Sequence, residues 1–323
     1  MLKPNHNKIL DLLNWLDQYF SIKMKLLTLK TIFKLLLTWN NGYTDRKRYF
    51  DYDFSKEFLL YLYDKQLDEI TQLLVNNMDE ESQSIVSITL KSHRYLIENN
   101  IIERRNFSIN SEKDEIAKIK RCIFNARRCI PLALDHYNPE AFYYHHGLKT
   151  DIPQYGVGLI KNRDFIDAGA FIGDSAVILS NYDPRKIYSF EPDRETFALL
   201  EKTIELNDLN SIIIPVSKGL GFDDINNNLI SIDSFVALNQ LDVGLIKLDV
   251  EGQEFNVISS AKKTIMSHRP VLLISIYHTG KDFFEIKPLL EDWLQDYSFS
   301  IRRYNPLTLV SDILLLAWPN QVV

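Results

Sequence analysis

Four groups of residues in this chain could do chemistry. The run Phe165-Ile-Asp-Ala-Gly-Ala-Phe-Ile-Gly-Asp174 places Gly169 and Gly173 between an apolar strand and the start of a helix. Gly169 lets the chain turn sharply and bring backbone close to a ligand, and Gly173 lets the helix pack closely as it opens. The next apolar run ends in Tyr188-Ser-Phe-Glu-Pro-Asp193, with Glu191 lying 22 residues after Gly169. An acid at the end of a second strand can accept hydrogen bonds from both hydroxyls of a ribose. Pro192 cannot extend a ladder and so holds Glu191 at the strand tip, while Asp193 is the better cap for a helix starting at Arg194. In Leu245-Ile-Lys-Leu-Asp-Val-Glu-Gly252, Lys247, Asp249 and Glu251 alternate on one face and Ile246, Leu248 and Val250 on the other. Three charges on one face of a buried strand are costly unless paired or functional. A Lys247–Asp249 ion pair with Glu251 capping a helix is the structural alternative. His278 ends a further apolar run, and an imidazole titrates near neutrality.

The middle glycine of a dinucleotide fingerprint is Phe171 here, which disfavours the close approach of a pyrophosphate and hence NAD or FAD. A nucleoside ligand without phosphate does not need that approach. S-adenosylmethionine (SAM), with adenine, ribose, a sulfonium and an amino-acid tail, is such a ligand. A sulfonium is already a good leaving group, so positioning does most of the work, but an alcohol acceptor must lose its proton as it attacks. His278 is the expected base, with Asp249 orienting it or holding the acceptor and Glu251 beside them. Asp249, Glu251 and His278 binding a divalent cation is the less favoured arrangement, and no metal ligand is assigned.

These residues need a sheet to hold them. Short β-rich runs at 164–168, 186–190, 212–216, 245–250, 271–277, 299–304 and 313–317 alternate with helical patterns at 173–180, 194–206, 253–268 and 282–296. That alternation predicts βαβ units and a mostly parallel sheet. The last two strands are joined around Asn305-Pro306, too short for a crossover helix, and should pair antiparallel. The first half differs. Residues 1–146 hold a single glycine, Gly42, and show apolar spacing of three and four at 9–20, 59–74 and 85–97, with a further helix expected over 111–130. The predicted division is a helical domain over 1–146, serving as cap, acceptor contact or dimerisation surface, and an α/β domain over 147–323.

The chain has 323 residues, 46% apolar and 25% charged, which excludes fibrous and disordered classes. A net charge of −6 offers no electrostatic reason for a nucleic-acid partner. Two cysteines, Cys122 and Cys129, build neither a disulfide framework nor a zinc site, and fit a reducing compartment. No signal peptide or spanning run is evident, so a cytoplasmic location is expected. The basic and apolar stretch from Lys23 to Lys34 could touch a membrane surface, but a helix packed on the α/β domain is preferred. Tyr143-Tyr-His-His146 could line an acceptor pocket, with interfacial packing preferred.

The run 165–174 resembles motif I of the FkbM family of SAM-dependent methyltransferases. Ser189-Phe-Glu-Pro-Asp193 resembles its second motif, Ser231-Ile-Asp-Ser-Phe235 its Thr-Leu-Asp-Asp-Phe segment, and 245–252 its Ile-Lys-Ile-Asp-Val-Glu-Gly signature. The resemblance covers about residues 160–318. It implies a Rossmann-like class I methyltransferase sheet, SAM as methyl donor, and a hydroxyl on a sugar, glycan or secondary metabolite as acceptor. The expected donor contacts are Asp167, Gly169, Ala170, Phe171, Gly173 and Glu191, with Asp223 the guess for the adenine edge. Two departures stand out. The β-rich insert after the third strand is nearly absent, and Ser275-Ile-Tyr-His278 stands where the family often has a glutamate. The acceptor is a small molecule or glycan, and a homodimer is an open expectation. The alternative is a non-catalytic SAM-binding or scaffold protein with this fold. A nicotinamide oxidoreductase is disfavoured by Phe171 and the terminal hairpin.

Overall fold

A computed structural model of the chain describes residues 60–62, 65–99, 112–306 and 310–321, together with Phe58 and Thr308. The stretch from Lys23 to Lys34 and the 9–20 pattern lie outside the described residues. The central sheet has seven strands in the order β3-β2-β1-β6-β7-β9-β8. They are β1 (Asp164–Ala168), β2 (Lys186–Phe190), β3 (Ile213–Val216), β6 (Val243–Leu248), β7 (Val271–Ser275), β8 (Tyr297–Arg303) and β9 (Ile313–Pro319). The first five in spatial order run parallel; β9 pairs antiparallel with both β7 and β8, as the short connection requires. A separate two-stranded ribbon joins β4 (Gly219–Leu220) to β5 (Leu229–Ile230).

Every residue of β1, β6 and β7 is buried, because helices cover both sheet faces, which explains why these strands read as continuous apolar runs. Two expectations need adjusting. The fourth strand ends at Leu248, so Asp249 and Glu251 lie in the loop beyond it. The helix expected over 253–268 is two helices, α8 (Glu254–Ser259) and α9 (Lys262–His268). The break has a tertiary cause: Asp233, on α7 (Ile232–Asn239), accepts from Lys263 N at 3.0 Å and Thr264 N at 2.7 Å and so caps α9 from outside. Elsewhere local signals hold. Asp193 caps α6 (Arg194–Leu206), accepting from Thr196 N at 2.9 Å, and Thr279 caps α10 (Gly280–Trp293) through Asp282 N at 3.1 Å. The loop after β1 leads into α5 (Asp174–Leu179).

Before the sheet, the described residues are helical: α1 (Leu67–Val75), α2 (Glu80–Asn99), α3 (Glu112–Cys129), a π-helical turn (Glu140–Tyr144), a 3-10 turn (His145–Gly147) and α4 (Gln154–Ile160). None of the described helices is long and apolar enough to cross a membrane. Phe58, Leu74, Met78 and Val86 share one core with Ile166, Leu248, Phe283 and Ile301. Polar ties fix that docking. Ile301 N donates to the buried Ser82 Oγ at 2.9 Å, and Arg302 reaches Asp79 at 2.9 Å and Asp151 at 2.7 Å.

Candidate functional site

The carboxyl ends of β1 and β6 meet where the chain order reverses, the place at which open α/β sheets bind ligands. Gly169 has φ +70, and a Cβ there would lie 1.8 Å from the Asp249 carbonyl oxygen. The loops after β1 and β6 therefore touch backbone to backbone, a contact only glycine allows. Gly169 N and Ala170 N donate to Phe190 O at 3.2 and 3.0 Å, tying the turn to β2. Gly173 has φ +87, and a Cβ there would come within 2.9 Å of Leu200 on α6, the close helix packing expected of it. Phe171 holds φ +46 and is 39% exposed. That left-handed backbone is what a glycine would otherwise supply at this position.

Glu191 sits at the tip of β2, nearly buried. Its Oε2 accepts from Phe171 N at 3.1 Å and its Oε1 from Asp193 N at 3.0 Å. Burial pushes this carboxyl above the usual range, and the two backbone bonds oppose the rise. Both oxygens keep further lone pairs for a ligand.

Asp167 and Lys247 are neighbours across β1 and β6, both buried. Lys247 Nζ lies 3.3 Å from Asp167 Oδ1 and donates to Gly169 O at 2.9 Å. The cation of the fourth strand thus braces the glycine loop, and the alternative Lys247–Asp249 ion pair gives way to Lys247–Asp167. Burial would lower the Lys247 ammonium, but the charges of Asp167, Asp249, Asp174 and Glu140 outweigh it and hold it well above the ordinary lysine range.

The loop after β6 brings the other charges together. Glu251 and Gly252 take φ +52 and +90, turning the chain back toward α8. Glu254 is fully buried, and its carboxylate accepts from Val250 N at 2.7 Å and Gly252 N at 2.9 Å. His278, three residues beyond β7, points Nδ1 at Glu254 Oε1 (2.9 Å). Its Nε2 lies 3.6 Å from Asp249 Oδ1 and 3.4 Å from Glu251 Oε2. Burial alone would depress this imidazole, but the Glu254 hydrogen bond and the charges of Glu254, Asp249 and Glu251 push its pKa up to about 9. Asp249, Glu251 and His278 are thus brought together as the sequence predicts.

Glu254 escapes the sequence reading, although an acid in the first turn of a helix was a visible signal. Ligand atoms of Asp249, Glu254 and His278 lie within 4.8 Å of one another, a donor set of the kind that suits a divalent cation. Both Glu254 oxygens, however, already accept backbone N–H groups. Asp223 stands apart, exposed on the loop after β4. Its carboxylate accepts from Ser231 N at 2.7 Å and Ser234 Oγ at 2.7 Å, ordering the start of α7.

A further wall comes from residues ahead of the sheet. The His136 ring meets Phe171 edge-on at 5.3 Å between centroids, and Asn138 Nδ2 donates to Asp174 Oδ2 at 2.9 Å. Glu140 and His146 are both buried, with Glu140 Oε1 2.7 Å from His146 Nδ1. Cys122 Sγ donates to Phe142 O at 3.1 Å, so one of the two thiols anchors this segment to α3.

Residues 214–301 match the Methyltransferase FkbM domain. The matched span begins in β3 and ends in β8; it contains Asp249, Glu251, Glu254 and His278, while the glycine loop precedes it. No curated protein matches the chain. Among solved structures, the chain is similar to the methyltransferase FkbM of Methylobacillus flagellatus KT, with 19% identity and a TM-score of 0.59. The alignment covers 81% of this chain and 61% of that one, so the chain spans less than two thirds of that protein. An rRNA methylase from Streptococcus thermophilus (12% identity, TM-score 0.41, 57% of this chain and 98% of that one) overlaps more loosely. So does an O-methyltransferase from Bacillus cereus in complex with SAH (12%, 0.39, 73% and 100%). Residues 214–301 are thus similar to the Methyltransferase FkbM domain, and the chain shares its fold with the methyltransferase FkbM of Methylobacillus flagellatus KT.

Proposed function

We propose that this protein transfers a methyl group from SAM to a hydroxyl of a sugar, glycan or secondary metabolite. The observation that carries the donor assignment is the cradle of Gly169 and Glu191. A backbone loop that a single Cβ would close lies hydrogen-bonded to an acid at the tip of β2, on the ligand edge of the sheet. Those residues fit a phosphate-free nucleoside. Bound there, SAM supplies a methyl group on a sulfonium whose leaving group is a neutral thioether.

The chain's own groups divide the remaining work. Glu191 binds the ribose hydroxyls with the lone pairs that Phe171 N and Asp193 N leave. Backbone of Gly169, Ala170, Phe171 and Gly173 lines the donor, and Asp167 fixes that loop through Lys247. Asp223 orders the loop on the adenine side. Asp249 and Glu251 hold the acceptor hydroxyl beside His278 Nε2, which takes its proton. Before a ligand binds, the surrounding carboxylates push the His278 pKa up to about 9, which favours the protonated imidazole. A cation placed against it favours the neutral, proton-accepting imidazole. The helical residues ahead of 147 cover the mouth of the site.

Calorimetric titration of the purified chain tests the donor assignment. SAM should bind in the micromolar range, NAD should not bind, and Glu191→Ala should abolish SAM binding. A wild-type chain that ignores SAM, or takes NAD equally well, overturns the reading.

A further inference from the structure

The segment before β1 is built as part of the donor pocket. Among its contacts with the motif loop and the helix behind it, two fall on Phe171 and Asp174, either side of Gly173. Its backbone is strained where it turns inward: a π-helical turn begins at Glu140, and His145 and His146 both adopt left-handed φ of +51 and +54. Left-handed backbone is unfavourable for residues with a Cβ, and strain of this kind gathers at functional sites. Gly147 follows at φ +90, and a Cβ there would sit 2.3 Å from the Tyr304 hydroxyl, so the turn is locked against β8 and β9.

What the turn presents is a carboxyl–imidazole pair. Glu140 holds His146 Nδ1, and the buried Nε2 of His146 has no hydrogen-bond partner among the described residues. Around the pair the charges do not balance. The Lys247 ammonium faces Asp167, Asp174, Asp249 and Glu140 together, and it is already engaged by Asp167 and Gly169. Burial and the charges of Asp249 and Asp174 push Glu140 up to about 8, the state of an acid short of a cation.

Resting on the reading of this crevice as a SAM site, we propose that Glu140 and His146 close it over the amino-acid end of the donor. The Glu140 carboxylate receives the ammonium, and His146, whose Nδ1–H donates to Glu140, offers its Nε2 lone pair as a second acceptor for that ammonium.

The test uses two nucleosides that differ in that end alone: S-adenosylhomocysteine, and 5′-methylthioadenosine, which lacks it. Calorimetry on the full chain compares wild type, Glu140→Gln, which is isosteric, and His146→Asn, a residue tolerant of left-handed backbone. We expect S-adenosylhomocysteine to bind about tenfold or more weakly to each variant, and methylthioadenosine to bind all three alike. Unchanged S-adenosylhomocysteine binding overturns the proposal. So does parallel weakening of both nucleosides, which would mean that the pair only supports the fold. A wild-type chain that binds neither nucleoside sinks the SAM reading itself, and this assignment with it.

Discussion

Glu254 should set the charge of His278. Glu254→Gln keeps a carbonyl oxygen for one of the two backbone N–H groups but removes the negative charge 2.9 Å from His278 Nδ1. In the wild type, burial opposes the imidazolium and Glu254 is the foremost group sustaining it. Losing an adjacent opposite charge moves a pKa by about 1–3 pH units. The His278 pKa should therefore fall from about 9 to about 6–8.

The stability consequence has a definite sign. A pKa raised from 6.5 to about 9 corresponds to about 3 kcal/mol of stabilisation, at about 1.4 kcal/mol per pH unit. That contribution is fully present below pH 6.5 and fades as pH rises through about 9. Glu140, also raised, tilts stability the same way, so the informative quantity is the difference between wild type and variant. Imidazole NMR across pH 5–10 follows His278 directly, and urea unfolding at pH 6.5 and 9 follows the linkage. A His278 that still titrates near 9 in Glu254→Gln would refute the assignment of Glu254 as its counter-charge.

Two further perturbations probe the scaffold. Gly169→Ala should destabilise the chain by more than about 2 kcal/mol in urea, because the new Cβ lands 1.8 Å from the Asp249 carbonyl at φ +70; a loss under about 0.5 kcal/mol would mean that the two loops can part freely. Lys247→Met should cost about 3–5 kcal/mol by leaving Asp167 charged and buried, and Asp167→Asn added to it should restore part of that loss; equal instability of single and double variants would contradict the pairing.

The local geometry expected from the sequence is met where its determinant is local. Gly169, Gly173 and Glu191 are legible because a tight strand-to-helix turn and an acid held by Pro192 are short-range features. The strands β1 and β2 and the helix α6 are legible for a similar reason, since apolar runs bounded by Asp and Pro leave few options. The register of one strand against another is not written locally. Lys247 and Asp249 look like partners when read along one strand, but parallel pairing of β1 with β6 puts Asp167 beside Lys247 instead. The continuous helix expected over 253–268 breaks because α9 takes its cap from Asp233 on another helix.

Glu254 and the Glu140–His146 pair show the same limit in the site itself. Their residue types are ordinary, and their importance comes from what burial and distant neighbours do to a charge. Sequence alone determined the class of sheet, the glycine loop, the acid at the tip of β2 and the nearness of Asp249, Glu251 and His278. Tertiary structure decided which charges pair, which are left over, and that neighbouring carboxylates push the His278 pKa up while burial depresses that of His146. Those outcomes depend on distances of 3–4 Å between residues as far apart along the chain as Asp167 and Lys247, 80 positions, and no pattern along the chain encodes such distances.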